Sequence, residues 1–132
     1  MEAGTRNLVK QRAGGRCEYC RLPDTADEWP FHVDHILARV HGGTHDLSNI
    51  CWSCTQCNLH KSSNFTSVDP ESDQRVDLFN PREDVWKEQF EIGSDGHIVG
   101  LTPKGRATAR LLDMNDSPQL DLRRELIDQG EF

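Results

Sequence analysis

Three features of this 132-residue chain predict an α+β fold. Short runs of β-branched and aromatic residues, at Trp29 to Leu37, Val76 to Phe79 and His97 to Leu101, suit brief strands rather than long sheets. Two proline-marked starts, Thr102-Pro103 and Ser117-Pro118, open helices near the C-terminus. Two Cys-x-x-Cys pairs, Cys17/Cys20 and Cys54/Cys57, stand 33 residues apart and would tie distant segments into one small body. Hydrophobic residues are 35% of the chain and aromatics 7%, so a lean core gains from a metal staple.

In chain order, Thr5 to Ala13 is expected to be a helix, capped by Thr5, edged by Leu8 and Val9, and stopped by Gly14-Gly15. Its basic residues could flank a phosphate backbone or simply face solvent. Cys17-Glu-Tyr-Cys20 forms a first metal knuckle, followed by an acidic loop from Leu22 to Glu28. Trp29 to Leu37 is expected as a strand, in which Val33 and His35 point to one face and Asp34 and Ile36 to the other. Asp34 and His35 can share a site only if that strand ends or twists there. His41 to Leu47 is a loop, Ser48 to Cys51 a short strand or turn, and Cys54 to Ser63 a helix with Cys57 and Lys61 at i,i+4.

Ser62 to Asp73 is polar and turn-rich, and a linker or wrap-around loop is expected there. Asp84 to Ile92 suits helix or strand equally. Gly93 to Gly96 is a turn before the returning strand of a hairpin, and the two proline-marked helices follow, with apolar stripes at Ala107, Leu111, Leu112 and Met114, then Leu122, Leu126 and Ile127. The chain divides into residues 1–63, which hold the motifs, and an extension, 64–132, packing on them.

No run approaches the roughly 18 apolar residues of a membrane helix, and residues 1–16 lack the apolar stretch of a secretion signal. A cytoplasmic protein is the expectation, and five cysteines, four of them in pairs, suit zinc in a reducing compartment better than disulfides. The net charge is −7. Residues 1–63 carry seven basic and seven acidic side chains, whereas 64–132 carry eight basic and fifteen acidic, so the acidity belongs to the extension. Charge alone therefore leaves a nucleic-acid partner open.

The four paired cysteines predict a tetrahedral four-thiolate zinc site. Cys51 offers a second register, Cys51-x-x-Cys54, but its place in an apolar step favours a small buried hydrophobe. Around the zinc pairs lie Asp34-His35-Ile36, Gly42-Gly43, Asn49-Ile50, then Cys54-x-x-Cys57-Asn58 and Lys61. That order, over about a third of the chain, resembles the HNH (ββα-metal, His-Me finger) endonucleases, and within them the zinc-knuckle branch related to McrA-like restriction enzymes.

The resemblance implies a small ββα-metal core stapled by zinc, with an N-terminal helix and a C-terminal hairpin plus helices. It assigns His35 as general base, Asp34 and Asn58 as ligands of a catalytic Mg²⁺ or Mn²⁺, Asn49 as the residue holding the His35 loop, and Lys61 as a point charge near the scissile phosphate. The chemistry asks for the same groups. Phosphodiester hydrolysis needs a proton acceptor near neutrality and a hard cation to absorb developing charge. Arg39 is a candidate phosphate contact, and His60 a lesser one as ligand or phosphate contact. His32, His41 and His45 are expected as loop or strand-edge residues. The run from Gly96 to Thr108 resembles the C-terminal extension of many small bacterial HNH proteins.

The expected function is metal-dependent hydrolysis of DNA, with room for a homodimer or a targeting partner. Two alternatives stand beside it: a non-catalytic zinc module that binds nucleic acid or protein, and a nuclease acting on RNA.

Overall fold

The computed structural model describes residues 2–132. Helix α1 runs Ala3–Arg12, two residues ahead of the expected start, so Thr5 lies inside it and no side chain caps its first turn. Gly14 and Gly15 take left-handed φ angles of 66° and 73° and stop the helix as the sequence predicts. Its arginines do not wait for phosphate. Arg6 donates to the Phe31 carbonyl at 3.1 Å and lies 5.0 Å over the Trp52 ring, and Arg12 donates to the Leu47 and Ile50 carbonyls.

Strand β1 is only His32–His35 and pairs antiparallel with β2, Ile50–Ser53, matching Asp34 with Cys51 and His35 with Ile50. The expected strand from Trp29 is cut short because Pro30 has no N–H to pair, and Trp29 is left two-thirds exposed. A short 3₁₀ turn, Leu47–Asn49, leads into β2, and helix α2, Thr55–Lys61, follows with Cys54 at its N-cap. This hairpin and helix form the ββα unit.

The expected linker contains a strand instead. β3, Thr66–Val68, pairs with β4, Arg75–Asp77, as a second hairpin. The turn between them is built on Asp69, which is fully buried and receives Arg106 through both oxygens at 2.8 and 2.9 Å, Ser72 Oγ at 2.7 Å and the Glu71 N–H at 3.2 Å. A polar stretch can thus fold when its carboxylate is fully paired. The ambiguous segment after Asp84 proves to be both forms in succession, helix α3 at Trp86–Gln89 and strand β5 at Phe90–Ile92. β5 pairs with β6, Ile98–Gly100. Helices α4, Pro103–Leu111, and α5, Ser117–Asp128, close the chain, and Thr102 Oγ1 accepts the Gly105 N–H at 2.9 Å. Gly105 packs against the Gln89 carbonyl so closely that a Cβ would lie 2.1 Å from that oxygen.

One apolar cluster crosses residue 64 without a break. It joins Val9, Leu22, Phe31, Ile50 and Trp52 to Phe79, Phe90, Ile98, Leu112 and Met114. Tyr19 meets Phe79 edge-on, with centroids 6.4 Å apart, and the Trp86 indole donates to the Tyr19 carbonyl at 2.8 Å. The extension is therefore packed directly on the first knuckle. No helix among the described residues is long and apolar enough to cross a membrane.

The Asp69–Arg106 pair predicts a pH effect. Arg106 holds the Asp69 carboxyl well below the usual carboxylate range, so its stabilising contribution is present above the unfolded value of about 3.9 and is lost as pH falls below it. Urea midpoints measured at pH 5 and pH 3 should fall less between the two for Asp69→Asn than for the parent. An equal fall in both proteins would remove Asp69 as a source of acid sensitivity.

Candidate active site and metal centre

The four sulfurs of Cys17, Cys20, Cys54 and Cys57 lie within 4.8 Å of one another and all four residues are buried. The Cys20 and Cys54 sulfurs are 3.7 Å apart. Four thiolates at a Zn–S distance of about 2.3 Å in a tetrahedron would be separated by nearly that amount. Hydrogen bonds with Cys17 and Cys20, ahead of burial, push the Cys54 and Cys57 thiols up, while Cys17 is held low. Four sulfurs converging at this spacing suit a divalent cation that takes thiolate ligands, as zinc does. Cys51 stands outside it, fully buried in β2, with its Sγ 3.4 Å from the Tyr19 hydroxyl. Arg123 of α5 is fully buried, one of its terminal nitrogens has no partner, and its charge is felt by all four cysteines.

The staple sets β1 and β2 against α2, and an open cleft of about 220 Å³ lies at that junction. Val33, Asp34, His35, Ala38, Arg39, Asn58, Ser62 and Ser63 line it. Asp34 and His35 leave the strand on opposite faces, as a strand requires. Both nonetheless line the cleft, and the β1–β2 register continues one rung further, the Ile36 N–H donating to the Asn49 carbonyl at 2.8 Å, before the Asn49 side chain takes the Leu37 N–H.

Asp34 is 5% exposed. Its Oδ2 receives the Tyr19 hydroxyl at 2.8 Å, the Lys61 ammonium at 3.3 Å and the Cys51 thiol at 3.7 Å. Its Oδ1 has no hydrogen-bond partner among the described residues, and neither has the Asn58 side chain. Burial pushes the Asp34 carboxyl above its usual range, and Lys61 and Tyr19 oppose that. Burial also raises the Tyr19 hydroxyl well above its ordinary value, which keeps it a donor.

Lys61, expected beside the phosphate, is placed otherwise. It is 1% exposed, and its Nζ donates to the His35 carbonyl at 2.9 Å while pairing with Asp34. The reason is helical: Cys57 faces the zinc, and a residue four positions later shares that inward face. Lys61 thus joins the two residues of the motif from beneath.

Asn49 clamps the loop. Its Oδ1 accepts the Leu37 N–H at 2.9 Å, and its Nδ2 donates to the carbonyls of Leu37 at 3.0 Å and Thr44 at 2.8 Å. Gly43 is pressed onto the same segment, where a Cβ would lie 1.7 Å from the Leu37 oxygen and 2.9 Å from Asn49 Nδ2. Gly43→Ala should therefore force the loop open, at about 1–3 kcal/mol for overpacking, and lower activity as well. Urea unfolding with a parallel cleavage assay would check this; an unchanged midpoint would refute the close fit.

His35 is half-exposed, and its Nε2 lies 2.8 Å from His45 Nδ1. Burial first, then His45, lowers the His35 imidazole below its ordinary value, with Asp34 opposing. Its neutral form therefore prevails at pH 7. Arg39 is exposed, lines the cleft and contacts His45. His60 does not reach the cleft: two positions past Asn58 is about 200° around a helix, and it faces a separate groove with Trp29 and Leu59. His32 bonds Thr55 Oγ1 at 3.0 Å, and His41 stacks edge-on against Phe65. Tyr19 and His45 are the site residues that pattern reading passed over.

A thiolate-stapled ββα unit presenting an imidazole, a carboxylate and an amide to one cleft has the make-up of a metal-assisted nuclease. Residues 17–64, just over a third of the chain, match the family model described as HNH endonuclease, and the four-cysteine cluster is consistent with the zinc-knuckle branch of that family. No curated protein and no solved structure matches the chain.

Proposed function

We propose that the protein is a divalent-metal-dependent endonuclease that hydrolyses DNA phosphodiester bonds, with His35 as the general base. The observation that carries this reading is the common cleft of Asp34, His35 and Asn58, in which a carboxylate oxygen, Asp34 Oδ1, and the Asn58 amide both lack a protein hydrogen-bond partner among the described residues. A carboxylate and an amide oxygen suit a hard ion such as Mg²⁺ or Mn²⁺. Bound there, that ion would supply positive charge at the phosphorus and the leaving oxygen.

The chain's own groups would do the rest. His35 takes the proton of the attacking water, a task suited to an imidazole that is neutral at pH 7. Tyr19 and Lys61 hold Asp34 Oδ2 so that Oδ1 faces the cleft, and Lys61 also ties down the His35 backbone. Asn49 keeps the loop after β1 in register. Arg39 meets the phosphate. The acidic extension supports modest affinity for free duplex DNA and delivery by a partner or a second subunit.

The test is purified protein with Mg²⁺, Mn²⁺ or Ca²⁺ against supercoiled plasmid, single-stranded DNA and RNA side by side. Cleavage of DNA with Mg²⁺ or Mn²⁺ is expected. No cutting with any ion overturns the enzyme reading in favour of a binding module, and cutting of RNA alone redirects the substrate.

A further inference from the structure

Helix α2 presents a second face that the reaction as set out above does not use. Asn58 lines the cleft with Asp34 and His35, whereas Leu59 and His60 turn to a separate groove of about 550 Å³. The segment before β1 supplies another wall of that groove through Asp27, Glu28 and Trp29, and α5 completes it with Gln119 and Leu122. The groove and the cleft share no residue.

Trp29 is 67% exposed and Leu59 70% exposed. One exposed apolar residue is ordinary, but a tryptophan and a leucine beside the same hollow make a patch. Asp27 Oδ1 accepts the Trp29 N–H at 3.1 Å, a local bond that holds the turn carrying the ring.

Charge selects the occupant. Asp27 and Glu28 line the groove, no lysine or arginine does, and neither carboxylate has an ion pair among the described residues. Gln119 is buried, and its Oε1 has no protein partner. The last torsion of a glutamine is soft, so that oxygen can turn to meet a donor in the groove. Two carboxylates repel phosphates, which makes a nucleic-acid strand a poor occupant despite the tryptophan. A second copy is a poor one too. Arg6 and Arg12 of α1 are already bonded to backbone carbonyls, and residues 64–132 carry fifteen acidic side chains against eight basic ones.

We infer that this groove is the docking site for a basic segment of another protein, in which an arginine or lysine lies on Trp29 beside Asp27 and Glu28 and an apolar neighbour fills the space between Leu59 and Leu122. A guanidinium over an indole gains from the ring and from the flanking carboxylates together. Docking there leaves Asp34, His35 and Asn58 open, so a partner held on one face of α2 presents the other face to substrate. The inference rests on the nuclease reading only for what the partner delivers, and the docking itself is measured without cutting.

Nitrogen-15 spectra of the zinc-loaded protein show the indole N–H groups, and the Trp29 signal is the one lost in Trp29→Ala. A short peptide alternating arginine with leucine should move that signal and leave the Trp86 indole in place. The same peptide with glutamate for arginine, or with glycine for leucine, should bind about tenfold more weakly. Trp29→Ala should weaken the arginine–leucine peptide by about thirtyfold, the scale of an interface anchor. Asp27→Asn combined with Glu28→Gln should weaken it by about tenfold. All these variants should melt with the parent, and Trp29→Ala should cut plasmid as the parent does. Unchanged binding in Trp29→Ala overturns the docking site, and so does an arginine–leucine peptide that leaves the Trp29 signal unmoved. A short single-stranded DNA that moves it in preference to the peptide overturns the inference in favour of a nucleic-acid strand. Self-association that is lost in Trp29→Ala overturns it in favour of a second copy. Should the parent dock the peptide but cut nothing, the nuclease reading fails and the docking site stands.

Discussion

Replacing His35 with alanine should lower DNA cleavage by about 10²–10⁴-fold, the usual worth of a positioned proton acceptor. The loss should fall on kcat, because the imidazole removes a proton in the transition state and does not hold the phosphate beforehand. Folding should survive. The ring is half-exposed and its recorded side-chain hydrogen bond is to His45, while the strand register at position 35 is kept by the backbone pairing with Ile50 and by Lys61 on the carbonyl. Lys61→Ala makes the useful contrast. It leaves Asp34 buried without its cation and the His35 carbonyl without its donor, so both stability and cleavage should drop, breaking a buried pair costing about 3–5 kcal/mol. Supercoiled-plasmid nicking with Mn²⁺, run beside circular dichroism melts, separates the two effects. A His35→Ala protein that melts like the parent and cuts as fast would remove the base assignment.

What could be read before any coordinates divides along a physical line. The four-cysteine cluster was legible because each Cys-x-x-Cys is a local geometric unit, and four such thiols in a lean core have few other uses. The order of Asp34, His35 and Asn58 pointed to one place, and the three do line one cleft. The inward turn of Lys61 was present in its i,i+4 relation to Cys57, yet a lysine's preference for solvent outweighed it. Tyr19 carried a weaker signal: a residue between two zinc ligands has its backbone fixed, and an aromatic hydroxyl sent into the core must find a partner. His45 had none, since its place beside His35 depends on the loop closing at Gly43, a tertiary fact. The hairpin at β3 and β4 was hidden for a related reason. Its turn rests on Asp69 and an arginine 37 residues away, and composition alone makes such a stretch look like linker.

Stripping zinc should unfold the protein, and the comparison of magnitudes says why. Structural zinc contributes about 10–16 kcal/mol to small metal-dependent domains at pH 7, whereas whole domains are stable by about 5–15 kcal/mol. The cluster joins residues 17–20 to 54–57, and the shared core of Val9, Leu22, Ile50 and Trp52 closes around that join. Without a cation, four sulfurs within 4.8 Å must either take up protons in a buried space or repel one another. Arg123, already buried with one nitrogen unpartnered, would then face protonated thiols instead of a negative cluster, and its own burial would lose its compensation. Two timescales should therefore separate the two metals. A brief exposure to EDTA should abolish cleavage reversibly, with Mn²⁺ restoring it and the circular dichroism unchanged. Prolonged chelation, or Cys57→Ser, should abolish cleavage, helical signal and the buried emission of Trp52 together; for the chelated parent Zn²⁺ should bring them back and Mn²⁺ should not, and for Cys57→Ser neither ion should. A zinc-free protein that still melted cooperatively near the parent temperature would mean that the apolar core holds the ββα unit by itself. The cysteines would then have to be explained by something other than a staple.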